Sequence, residues 1–166
     1  AAEDLNIKHF MYRTENAGSY MADCYARITG KVGVVTAQNG PAATLLVPGL
    51  AEALKVSVPL VALVQDVNRN QTDKNAFQEY DHQALFEGCT KWFKRVTEAS
   101  RIQDYIDMAF ATAASGRPGP VVLMLPADLL LEEVHLPEPR TAKLGYFPLD
   151  RTVADPERIA RAADLL

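Results

Sequence analysis

Three short apolar runs, Val32–Ala37, Leu60–Gln65 and Val121–Leu125, constrain this chain more than any other feature. Each lacks polar alternation, the pattern of a strand buried on both faces of a parallel sheet. Pro59 is tolerated at the start of the second run. Helical periodicity fills the intervals. Ala17, Tyr20, Met21, Cys24, Tyr25 and Ile28 recur at helical spacing within Glu15–Thr29, and Gly30 stops the run. Ala42–Leu54 reads as a second helix after the turn Gln38-Asn39-Gly40-Pro41. Ile102, Tyr105, Ile106, Ala109, Phe110 and Ala113 form a third stripe, of the kind that packs a core. Ile7–Tyr12 and Lys91–Val96 are read as further strands and Gln78–Phe86 as a short helix. Strand–helix alternation with short connections predicts an α/β fold of three layers, a mainly parallel sheet with helices on both faces.

Bulk properties narrow the function. The 166 residues, 48% hydrophobic, suffice for one domain with a core. The net charge is −4 and the basic residues are scattered, which argues against nucleic acid as a partner. No apolar run approaches the roughly 18 residues of a membrane span, and no signal peptide is visible; a cytoplasmic location is expected. Cys24 and Cys89 make no disulfide framework, and His9, His82 and His135 lack metal-ligand spacing. Residues 1–135 are expected to form the main domain and 136–155 a Pro-rich linker. Residues 156–166 then open a helix of a following domain, with Asp155 as N-cap and Pro156 at its first position. The chain lacks a start methionine, and the apolar face of that last helix has nothing to pack on. A piece of a longer polypeptide is expected.

Glu15 is the candidate functional residue. It lies where the apolar stretch Ile7–Tyr12 hands over to a helix, and ligands of open α/β sheets bind at that edge. Position alone leaves a second account open, because a first-turn carboxylate also complements the helix dipole, by roughly 0.3–1 kcal/mol. Asp66–Gln78 is a polar loop without periodicity, a type that often carries function.

Five motifs in order then converge on a family. Arg13-Thr14-Glu15 with Met21–Lys31, Gln38–Thr44, Phe77-Gln78-Glu79, Thr90-Lys91, and Ser115–Val121 with Leu125–Asp128 resemble the pyrimidine-binding domain of thiamine-diphosphate enzymes. The resemblance covers roughly residues 5–130 and is nearest to the acetolactate synthase branch. Glu15–Gly18 and Ala37–Pro41 are also similar to sulfoacetaldehyde acetyltransferases. The resemblance implies the thiamine-diphosphate-binding fold, here lacking its first strand and helix. It implies that Glu15 hydrogen-bonds N1′ of the cofactor aminopyrimidine and exchanges the proton that activates the thiazolium C2 toward a 2-oxo acid. A partly desolvated Glu, its pKa raised by burial, suits that task near neutral pH. It also implies that the Gly40-Pro41-Ala42 turn approaches the pyrimidine and that Gln78 faces the active-site channel. The family pattern has glycine where Ala42 stands and asparagine where Leu45 stands, departures that bear on loop shape or substrate.

In the family the diphosphate is held through Mg²⁺ on a separate domain that opens with Gly-Asp-Gly, and no Gly-Asp-Gly occurs here. The chain is thus expected to supply the pyrimidine half alone, to be inactive by itself, and to work in a homodimer or homotetramer. FAD is undetermined by this segment. The expected activity is that of a transferase or lyase, acetolactate synthase-like, on a 2-oxo acid or related small molecule. The alternatives are a sulfoacetaldehyde acetyltransferase-like enzyme, a simple 2-oxo acid decarboxylase, and a non-catalytic α/β interaction module.

Overall fold

A computed structural model describes residues 7–135 and 154–165. Helix α1 (Glu15–Thr29) is followed by β1 (Gly33–Ala37), α2 (Pro41–Val56), β2 (Leu60–Asp66), α3 (His82–Glu87), β3 (Trp92–Arg95), α4 (Ile102–Ala114) and β4 (Pro120–Pro126). All pairings are parallel and the strand order is β1-β2-β4-β3. Connections between parallel strands are right-handed, so the direction of travel across the sheet decides which face a helix covers. Steps β1 to β2 and β2 to β3 run one way and β3 to β4 runs back. That places α2 and α3 on one face and α4 on the other.

The core records the same layering. Leu60, Ala62 and Val64 of β2, with Val122 and Met124 of β4, pack on Ala22, Ala26, Leu46, Leu50 and Phe86 of the first three helices. The alternate residues Val61, Val121, Leu123 and Leu125 pack on Tyr105, Ala109 and Ala113 of α4. Side chains alternate faces along a strand, so a continuous apolar run fills both cores at once. Each large side chain so buried contributes roughly 1.5–3 kcal/mol. The α4 layer does not extend over β1, where Val34 and Thr36 are exposed.

Three expectations are corrected. Ile7–Tyr12 is not a strand; Phe10 and Met11 are 74% and 90% exposed, and the segment pairs with none of the described strands. Tyr12 alone reaches the body, where its hydroxyl donates to the Thr36 carbonyl. The short helix starts at His82 and not at Gln78, because Gln78 sits at φ 61° and Asp81 is the N-cap, accepting from the Ala84 amide at 3.0 Å. The loop after β2 contains a 3₁₀ turn, Arg69–Gln71. The expected Pro-rich linker lies, over residues 136–153, outside the described residues. Helix α5 (Pro156–Ala163) begins as the sequence predicts, with Asp155 accepting from Glu157 and Arg158.

Candidate functional site

Helix α1 runs antiparallel to β1, so its N-terminus lies at the carboxyl edge of the sheet. Thr14 caps it, its hydroxyl accepting from the Ala17 amide at 3.4 Å, and Glu15 occupies the first turn, half-buried. Small residues seat this helix. A Cβ at Gly33 would stand 2.3 Å from the Ala22 carbonyl oxygen, and one at Gly49 would stand 2.3 Å from the Ser19 hydroxyl. The α1 backbone thus lies directly on β1 and α2, which fixes where Glu15 is held. Burial and, after it, the Glu15 charge raise the pKa of Tyr12 above its ordinary value, which sets the carboxylate near the Tyr12 hydroxyl. Among the described residues no hydrogen-bond donor engages the Glu15 carboxylate.

The turn between β1 and α2 comes to the same edge. Gly40 has φ 58° and ψ −121°, a conformation that favours glycine. A Cβ there would meet the Gln78 carbonyl oxygen at 2.8 Å and Gln78 Cβ at 2.9 Å. Pro41 takes the first position of α2, and Ala42 is already helical, half-buried behind it. The alanine in the family's glycine position therefore carries no left-handed strain, because the positive φ falls on Gly40.

Gln78 packs over this turn. The Asn39 side chain donates to the Gln78 carbonyl at 3.2 Å, and the Gly40 amide donates to His82 Nε2 at 2.9 Å. Gln78 Oε1 is buried without a partner, as is Asn16 Oδ1 beside Glu15. The loop leading to Gln78 is wound around Glu79, whose carboxylate accepts from the Asp73 and Ala76 amides at 2.6 and 2.8 Å. The Ala76 and then the Asp73 amide hold that carboxyl below its ordinary value.

Behind the turn lies a buried polar group that sequence reading did not pick out. His82, 4% exposed, faces Asp66 at 3.8 Å through Nδ1; Asp66 accepts from Arg95 Nε at 2.5 Å, and Arg95 donates to the Thr72 hydroxyl at 3.0 Å. The only sequence hint was a charged residue, Asp66, closing an apolar strand. Arg69 ties the neighbouring loop down, donating to Asp128, Glu132 and the Thr97 carbonyl. Burial would raise the Asp128 carboxyl, but the Arg69 hydrogen bonds and charge hold it below its ordinary value.

The structure therefore joins Gly40 and Gln78 directly and brings Glu15, Pro41 and Ala42 to the same edge. Two hollows lie elsewhere. A polar groove of about 450 Å³ follows the outer side of β3, lined by Gln83, Glu87 and Thr90 among others, across the sheet from α1. A hollow of about 310 Å³ beside Leu54, Lys91 and Arg117 is occupied with closing helix ends: Arg117 donates to Ser57 and to the Lys55 carbonyl, at 2.8 and 2.9 Å. Cys89 is buried, which pushes its thiol up to about 11, and Cys24 is exposed. Among the described residues no group of acidic, Cys or His side chains could hold a metal, and no helix is long and apolar enough to cross a membrane.

Residues 1–85, which include Glu15, Gly40, Pro41, Ala42, Gln78 and His82, match the family described as thiamine pyrophosphate enzyme, N-terminal TPP binding domain. An acetolactate synthase of Arthrospira platensis is 40% identical over 96% of this chain and 28% of its own length. A probable acetolactate synthase large subunit of Methanocaldococcus jannaschii is 37% identical over 100% of this chain and 28% of its own. The chloroplastic acetolactate synthase of Arabidopsis thaliana is 42% identical over 75% of this chain and 18% of its own. The chain spans little more than a quarter of the length of the Arthrospira platensis and Methanocaldococcus jannaschii relatives.

Proposed function

The chain belongs to the thiamine pyrophosphate enzyme N-terminal domain family, and from that premise we propose that it forms the pyrimidine half of the cofactor site in an acetolactate synthase-like enzyme. One observation carries the proposal: Glu15 stands on the first turn of α1 at the carboxyl edge, half-buried, its carboxylate without a donor among the described residues. Bound there, thiamine diphosphate supplies an electron sink for decarboxylation of a 2-oxo acid. Glu15 holds and exchanges a proton at N1′ of the pyrimidine. A carboxyl is needed because an amide could hold the geometry without giving up or taking the proton. The Gly40-Pro41-Ala42 turn would meet the ring with its backbone, and Gly40, lacking a Cβ, lets Gln78 pack against that turn. Gln78 offers the unpaired Oε1 as an acceptor.

The diphosphate and Mg²⁺ belong, in this proposal, to a separate domain of a partner subunit. The working enzyme is then a homodimer or homotetramer in the cytoplasm, a transferase or lyase, and residues 1–166 alone are inactive. Residues 1–135 form the pyrimidine domain, 136–155 a linker, and 156–166 the start of the next domain.

The test is Glu15→Gln in the complete polypeptide. Turnover is expected to fall by roughly 10²–10⁴, the scale of one acid–base group. Hydrogen–deuterium exchange at C2 of the bound cofactor is expected to slow in parallel. Exchange as fast as in wild type would overturn the assignment.

A further inference from the structure

We propose that His82 is a positioning residue for the pyrimidine site: as a neutral imidazole it accepts the Gly40 amide and locks the turn at residues 38–41 against Gln78. The inference rests on the assignment of this edge as the pyrimidine site. The bond is 2.9 Å long, joins residues 42 apart in sequence, and lies in a region where His82 is 4% exposed. Gly40 is the N-cap of α2 and has no side chain to cap the helix with. Its own amide would be left unpaired in the interior without the imidazole, and buried backbone N–H groups are almost always paired. The same turn is held a second time by the Asn39 bond to the Gln78 carbonyl. Gly40 and Gln78 are thus kept in register by one buried side chain that itself stands behind the site.

Because Nε2 accepts, the ring proton sits on Nδ1, facing Asp66 Oδ1 at 3.8 Å. That separation exceeds a hydrogen bond, so Asp66 orients the ring by charge alone. The Asp66 carboxylate is already engaged by the Val67 amide at 2.9 Å and by Arg95. Burial outweighs the opposing charges of Asp66 and Asp81 and a hydrogen bond to the Tyr80 backbone, with Arg95 assisting, and keeps the imidazole neutral to lower pH than usual. The Tyr80 ring closes the remaining side, edge-on at 6.0 Å. Protonation would turn the acceptor into a donor that faces the Gly40 N–H, and the lock would open.

The test compares wild type, His82→Leu and His82→Gln in the complete, folded polypeptide, verified by circular dichroism. Two quantities are measured: amide hydrogen exchange of the peptide spanning residues 38–44, without cofactor, and thiamine diphosphate affinity with Mg²⁺ by calorimetry between pH 5 and 8. His82→Leu is expected to speed exchange and weaken affinity, each about tenfold. Glutamine restores an acceptor that does not titrate, so His82→Gln is expected to recover most of both and to flatten the acid fall in affinity that wild type shows. Unchanged exchange or unchanged affinity in His82→Leu overturns the proposal, as does a fall in affinity from pH 8 to pH 5 that is as steep in His82→Gln as in wild type. If wild type binds no cofactor the pyrimidine-site assignment fails, and the exchange measurement still decides whether His82 holds the turn.

Discussion

At the amino edge of the sheet, helix ends are closed by charge. Arg117 donates to carbonyls at the end of α2, Lys91 donates to the Thr112 and Ser115 carbonyls at the end of α4, and Gly30, in the left-handed conformation, ends α1. The carboxyl edge is built the other way. Helix α2 starts on a glycine with no capping side chain, Gly40 and Gln78 both have positive φ, and Gln78 Oε1 and Asn16 Oδ1 are buried without partners. Two ionisable residues, Asp66 and His82, are buried there as well. A positive φ costs a non-glycine residue roughly 1–2 kcal/mol, and a buried unpaired polar atom about 1–3 kcal/mol. Cationic helix caps do the reverse and stabilise. The amino edge carries one such cost, Ser57 at φ 62° ending α2, while the carboxyl edge gathers several that a bound ligand can offset.

Four measurements would break or sharpen that contrast. The largest effect is expected at Glu15. Glu15→Gln should reduce turnover by roughly 10²–10⁴ while the denaturation midpoint stays near wild type. A large loss of stability would make Glu15 a structural residue and dissolve the distinction. Next is Gly40→Ala, whose Cβ would crowd Gln78 in a backbone conformation alanine rarely takes. A stability loss of roughly 1–3 kcal/mol is expected in urea titrations, with weaker cofactor binding. A neutral outcome would show that the turn relaxes freely.

Acid should act through His82 before it acts through the carboxylates. Its native pKa lies below the ordinary 6.5, so the unfolded chain takes the proton first. The stability tied to neutral His82 is fully present above 6.5 and is lost as pH falls from there through the lowered native value, at most about 1.4 kcal/mol per pH unit. Denaturation midpoints measured between pH 5 and 8 check this, and His82→Gln should remove the slope. Smallest is Arg117→Ala, expected to cost roughly 0.3–1 kcal/mol in stability and to leave kcat unchanged. A catalytic defect there would mean that the amino edge also serves the site.

Much of this was legible in the chain. Strands β2 and β4 are buried on both faces, which writes them as continuous apolar runs, whereas β1 carries the same kind of run and is buried on one face only. Helices α1, α2 and α4 each carry a periodic face, and Glu15 is embedded in a dense motif. The misreadings have local causes. Ile7–Tyr12 has strand composition, but it stays exposed and unpaired, and composition alone does not make a strand without a ladder. Ala42 looked like a break in a glycine pattern, yet the strained conformation belongs to Gly40.

The sequence by itself determined the alternation of elements, the layering that follows from right-handed crossovers, the family, and the identity of the acidic residue at the head of α1. These rest on local propensity, periodicity and short motifs, which are properties of neighbouring residues. Only the tertiary structure decided that His82 meets Gly40, that Asp66 and Arg95 stand behind it, and that Glu79 winds the preceding loop. The first of those contacts joins residues 42 apart, and the Arg95–Asp66 pair residues 29 apart. Such pairings depend on which strand ends the sheet order places side by side, and no local pattern in the chain encodes that.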